Sequence, residues 1–320
     1  MRTAFGAVIE RSSSLPELPA DGAALAAMLE RERCLVFRGF NATVEAFEAI
    51  GNTLSEDFHS YRGGGFTVGK LARTFVDHKK TLMTASGATQ EFPMPLHGEM
   101  YYLLRSPELI WFYCDVPAQS GGETTIGDGR RIYRDLPAET RQLFAERRIR
   151  YERRLAEGDW QATFQAENRA GAEEFCRSEG LEIAWQEDGS AVTRFYTSAL
   201  RQSASGEAAF INGIQLIAGG EPAVAANAGI VPSGEVRIRH LVRWEDGARI
   251  SPGILAEIER ATSRNEVEVA WRRGDILLVD NRSVMHGRRG SAGAGRRILV
   301  KMGNLRQGLL SRASSPAPVW

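Results

Sequence analysis

Three short apolar runs set what this chain can fold into: LIWFYCDV at 109–116, GDILLVDN at 274–281 and GRRILVKM at 295–302. Each is aliphatic or aromatic and bounded by turn-forming residues, the pattern of a buried strand. CLVFRGF (34–40) and VEVAW (267–271) read the same way, and LEIAWQEDGSAVTRFY reads as a hairpin turning at Asp188-Gly189. Helices fall between these runs. DGAALAAMLERER offers Asp21 as an N-cap and a Leu25–Met28–Leu29 stripe, and TVEAFEAIGNTL follows. LPAETRQLFAERRIRY starts a helix at Pro137, NRAGAEEFCRSEG closes one on Gly180, and SPGILAEIERATSRN forms the last. Strands dominate without strict β-α-β alternation, so a doubly wound sheet does not fit. An antiparallel sandwich or barrel with helices packed outside does. No linker interrupts the chain, which reads as one mainly β domain over 1–320, its core at about 30–305 and its tail, SRASSPAPVW, loose.

Charge and composition remove several classes of function. Lys plus Arg equals Asp plus Glu at 40 each, and no basic stripe interleaved with aromatics appears, so neither a polyanion nor nucleic acid is expected as a partner. No run approaches the roughly 18 apolar residues of a membrane span. The start, MRTAFGAVIERSSS, lacks the apolar region of a signal peptide. Cys34, Cys114 and Cys176 are odd in number and widely spaced, fit no disulfide or zinc pattern, and point to a reducing cytoplasm.

The chemistry begins in PLHGEMYY (95–102). If residues 96–100 are extended, His97 and Glu99 point the same way, and Gly98 leaves room for a substrate or cofactor. Alone, His-x-Glu is a common strand end. His286, in GDILLVDNRSVMHGRRG, changes this, because it follows a buried strand and can complete a set. His59, His78 and His240 have no acid at ligand spacing. Two imidazoles and one carboxylate on one face suit a non-haem Fe(II) oxygenase, and equally a hydrolytic zinc. Eleven residues past His286 lies Arg297. Alternation puts Arg297, Leu299 and Lys301 on one face of their strand, with Arg296, Ile298 and Val300 on the other. An inward arginine wants a carboxylate, which its planar fork binds bidentately. An iron enzyme chelating a dicarboxylic keto acid needs that group, whereas a zinc hydrolase does not.

Taken together, PLHGEMYY, SGGETTIGDGRRIYRDLP, GDILLVDNRSVMHGR and GRRILVKM resemble the Fe(II)/2-oxoglutarate-dependent taurine dioxygenase-like (TauD/TfdA) family, and within it the branch named for the syringomycin-pathway aspartyl hydroxylase. The resemblance runs from LVFRGF to RRILVKM. It implies a double-stranded β-helix (jelly roll) with the site at one mouth, and His97, Glu99 and His286 as iron ligands. It further implies that Arg297 and Thr124 hold the distal carboxylate of 2-oxoglutarate. The branch usually has Asn where this chain has Gly98, a difference expected to bear on which substrate fits.

The implied reaction couples decarboxylation of 2-oxoglutarate by O2, giving succinate and carbon dioxide, to hydroxylation of an unactivated C–H bond. Desaturation and cyclisation share its first step. Because Glu99 keeps a carboxylate ligand, halogenation is disfavoured. Lys301 shares the face of Arg297, at a position that carries a substrate-binding cation in taurine dioxygenase, and Arg194 and Asn212 match pocket-facing positions of the branch. A small anionic or amino-acid-like substrate is therefore expected, free or presented by a carrier protein in specialised metabolism. The rivals are a zinc-dependent hydrolase or lyase on the same His2Glu set, indifferent to 2-oxoglutarate, and a non-catalytic jelly-roll binding protein.

Overall fold

Two mainly antiparallel sheets face one another and hold the site between them, with Ala7–Glu10 and Cys34–Arg38 pairing in parallel. The computed structural model describes residues 5–65, 67, 72–86, 91, 93–203, 205–218, 238–292 and 295–309. The larger sheet runs Ala7–Glu10, Cys34–Arg38, Ile276–Asp280, Leu109–Val116, Arg297–Asn304 and Asp57–Phe58, with Leu82–Thr84 also paired to Arg297–Asn304. The smaller sheet runs Glu266–Val269, Thr124–Asp128, Val284–Arg288 and Met94–His97. A third, four-stranded antiparallel sheet (Glu182–Trp185, Ala191–Thr197, Ile149–Leu155, Ile238–Trp244) stands beside them. The two facing sheets pair strands distant in sequence, as in a jelly roll, and the Asp188-Gly189 turn joins the first two strands of the third sheet.

The larger sheet is covered on both faces, which explains why its strands read as continuous apolar runs. One face meets the smaller sheet through Phe112, Cys114, Leu277, Val279, Ile298 and Val300. The other packs Trp111, Tyr113, Leu278 and Leu299 against the helices Gly22–Glu32 and Val44–Leu54. Both helices start as their sequences dictate. The Asp21 side chain accepts from the amides of Ala23 and Ala24, and Thr43 accepts from Ala46. The helix from Pro137 is shorter than its pattern suggests. It covers Ala138–Glu146, and the closing IRY of that run opens the strand Ile149–Leu155 of the third sheet. The tail at 311–320 lies outside the described residues. Among the described residues no helix is long and apolar enough to cross a membrane.

Candidate metal and cosubstrate site

Two strands of the smaller sheet place the histidines. His97 ends Met94–His97, and His286 is directly opposite it in the antiparallel register, with ring centroids 4.5 Å apart. Glu99 arrives differently from the expected extended stretch. The strand stops at His97, and a turn carries Glu99 and Met100, the latter at φ 57°. That left-handed geometry is uncommon outside glycine and is kept only by its surroundings. Asn281, fully buried after Ile276–Asp280, supplies them. Its Oδ1 accepts from the Glu99 amide at 2.9 Å, and its Nδ2 donates to the carbonyls of Glu99 at 3.2 Å and Pro107 at 2.7 Å. The Tyr101 hydroxyl donates to the Asn281 carbonyl.

Gly98 is not an open space above the metal position. A Cβ there would overlap the Tyr101 ring and come within 2.9 Å of Ile211 Cγ2. The glycine is demanded by this packing, which corrects its expected part in admitting substrate. Gly98→Ala is expected to lower stability by about 1–3 kcal/mol, the usual cost of overpacking, measured by urea unfolding. An unchanged midpoint would show that Tyr101 yields freely.

The ligand atoms of His97, Glu99 and His286 lie within 4.8 Å of one another, and all three residues are buried. Burial, then the neighbouring His286, lowers the His97 pKa to about 3, so its ring is neutral at physiological pH. His97 Nδ1 sits 2.9 Å from the Pro95 carbonyl, which fixes the proton there and leaves Nε2 as a lone pair. Burial alone would raise the Glu99 pKa. Arg73, whose Nη2 lies 2.8 Å from Glu99 Oε2, together with the imidazoles outweighs burial and holds the carboxyl well below the usual range. Glu99 Oε2 is also 3.5 Å from His286 Nε2, so the oxygen facing the histidines is the one Arg73 touches. Two imidazoles and an ionised carboxylate are the donor set a divalent cation needs.

Beside this cluster is a cavity of about 30 Å3, lined by His97, His286, Thr124, Arg73, Arg288 and Arg296 among others. Thr124 is buried, and Trp271 Nε1 donates to its hydroxyl at 3.0 Å. An indole nitrogen only donates, so the Thr124 proton is left to be given to an acceptor. Arg296 is buried too, and its Nε donates to the Gly122 carbonyl at 3.0 Å. Gly122, at φ 73°, is required on two counts, because a Cβ would also sit 3.0 Å from Arg296 Cδ and Nε. Burial, then Arg288, lowers the Arg296 pKa to about 10, leaving it cationic.

Arg297 is not in the cavity. It is half exposed and paired with Asp115 at 3.1 Å, across a bulge where Arg297 pairs Val116 and Ile298 pairs Cys114. The alternation along Arg297–Asn304 holds, but its inward face is the one carrying Arg296, Ile298 and Val300. With both faces covered, alternation alone could not say which was which. The same correction removes Lys301, which lies on the outer face, 3.3 Å from Glu48 and 4.0 Å from the Phe58 ring centroid. Arg194 is partly exposed on the third sheet and pairs with Glu152 at 2.8 Å. Asn212 is buried but satisfied internally. Its side chain bonds the Ala199 carbonyl and the Ile214 amide, and its carbonyl accepts from Gly98. Sequence reasoning missed Arg73, Trp271 and Asn281. Arg73 belongs to no motif, whereas Asn281 closes GDILLVDN and could have been suspected as a buried cap.

Known proteins agree in both sequence and fold. The chain is 28% identical over 280 residues to a clavaminate synthase-like protein of Arabidopsis thaliana, covering 83% of this chain and 80% of that one. It is 26% identical over 273 residues to the dapdiamide synthesis protein DdaC of Enterobacter agglomerans, covering 82% and 79%. The crystal structure of PvcB from Pseudomonas aeruginosa superimposes with a TM-score of 0.52 at 16% identity, covering 95% of this chain and 90% of that one, a likeness of fold. The taurine catabolism dioxygenase TauD, TfdA family matches residues 2–302, and the chain belongs to it.

Proposed function

We propose that this protein is an Fe(II)/2-oxoglutarate-dependent oxygenase that hydroxylates an unactivated C–H bond of a small amino-acid-like or anionic substrate. The observation that carries this reading is the His97–Glu99–His286 cluster beside a cavity walled by Thr124 and Arg296. Family membership supports it, as do relatives named for a synthetic pathway, and PvcB is itself an Fe, alpha-ketoglutarate dependent oxygenase from an isonitrile synthetic pathway. A zinc hydrolase would leave the cationic wall without a purpose. The whole chain is read as one domain working in the cytoplasm, on a substrate that is free or presented by a carrier protein.

His97, Glu99 and His286 would hold the metal, and when bound it supplies oxygen activation coupled to decarboxylation of 2-oxoglutarate. The protein contributes three things. The Pro95 carbonyl keeps the His97 proton on Nδ1, away from the ligand nitrogen. Asn281 fixes the turn that aims Glu99. Arg296 and the Thr124 hydroxyl, primed by Trp271, bind the distal carboxylate of 2-oxoglutarate, both from buried positions in the cavity wall.

Mixing Fe(II) and 2-oxoglutarate with the protein without oxygen is expected to produce a weak metal-to-ligand charge-transfer band in the visible. A folded wild-type protein that gives no band would overturn the assignment.

A further inference from the structure

One charged side chain in the cavity has more hydrogen-bonding capacity than the site just described uses. Arg73 is 5% exposed, and its guanidinium lies 4.2 Å from the centroid of the buried Tyr61 ring. It meets Glu99 through Nη2 alone, while Nε and Nη1 are buried with no hydrogen-bond partner among the described residues. Leaving charged donors unsatisfied away from water is costly, and native proteins rarely do it without a ligand or a function to answer for it.

The cosubstrate does not account for Arg73. Arg296 and Thr124 already face the cavity from the end of the Arg297–Asn304 strand and from Thr124–Asp128. Arg73 enters from the other connection, before Leu82–Thr84, and stands against the metal-ligand carboxylate. We infer that Arg73 is a second anion receptor, one that takes the carboxylate of the substrate beside the metal. The inference rests on the oxygenase reading and gives its substrate class.

Geometry makes the receptor conditional on metal. Glu99 Oε2 is the oxygen nearest both His286 and Arg73, so a cation held by this set would share with Arg73 the negative charge of that carboxylate. Metal loading would thereby weaken the Arg73–Glu99 pair and leave more of the guanidinium to a new carboxylate. A cavity of about 30 Å3, roughly the share of one water molecule, admits further molecules only as a lining side chain withdraws. A guanidinium tied down by one ion pair and a ring face is suited to doing so.

The test uses propionate and its neutral isostere propionamide as probes of the anaerobic protein saturated with Fe(II) and 2-oxoglutarate, reading shifts of the charge-transfer band. Wild type is expected to bind propionate at least about tenfold more tightly than propionamide. In Arg73→Gln the band still forms and the preference falls to within about twofold, while Arg73→Lys, which keeps the charge without the fork, retains part of it. A preference that survives Arg73→Gln, or none in wild type, overturns the inference and leaves the oxygenase reading standing. Loss of the band in folded Arg73→Gln at saturating metal would assign Arg73 to the cosubstrate instead, also overturning it. A wild type without a band overturns both.

Discussion

Arg296→Gln is expected to weaken 2-oxoglutarate binding by about 100-fold, whereas Arg297→Gln leaves it within about twofold. Removing one partner of a buried, hydrogen-bonded charge pair costs about 2–5 kcal/mol, and each 1.4 kcal/mol is about tenfold in affinity. Arg296 is buried in the cavity wall and braced by the Gly122 carbonyl. Arg297 is half in solvent, and its pair with Asp115 is a surface ion pair of the kind that contributes little. Titrating 2-oxoglutarate into the anaerobic Fe(II) protein and following the charge-transfer band measures both variants directly. The reverse order of effects would mean that the strand turns over in the working enzyme, exchanging its two covered faces.

That pair of arginines shows where the chain could be read in advance and where it could not. Strand runs, helix caps and the antiparallel sandwich were legible because apolar runs and capping residues act locally, as Asp21 and Thr43 do. The His97, Glu99 and His286 trio was legible because three residues with metal-binding chemistry are scarce in a chain with five histidines. Which face of Arg297–Asn304 looks inward was not. A strand buried on both sides carries no polar face to mark the outside, so Arg297 and Lys301 looked as inward as Arg296 does. Contacts between distant segments were equally hidden. The Asn281 clamp on Glu99 spans 182 residues and the Trp271 bond to Thr124 spans 147, and no local pattern encodes either. Gly98 was noticed as a departure, but the ring that requires it became visible only in the fold.

Glu99→Gln is expected to have the broadest effect, reducing Mn(II) affinity by at least about 100-fold and destabilising the metal-free protein by about 3 kcal/mol. The first effect follows because an amide oxygen replaces the single anionic donor of the set, and disturbing even the groups that orient such ligands costs about 10–100-fold. The second comes from Arg73. Its guanidinium is 5% exposed, and Glu99 is the only carboxylate with which it forms an ion pair among the described residues. Breaking a buried pair from one side strands the other charge, which typically costs about 3–5 kcal/mol, and a glutamine carbonyl can still accept one hydrogen bond and recover part of this. Calorimetric titration with Mn(II) and urea unfolding separate the two effects. The double variant Glu99→Gln/Arg73→Met removes the stranded charge as well. It is expected to be more stable than Glu99→Gln alone while binding metal no better, because stability depends on balancing the pair and affinity on the carboxylate. If the double variant is as unstable as the single one, the penalty lies in the turn that Asn281 holds and not in the unpaired guanidinium.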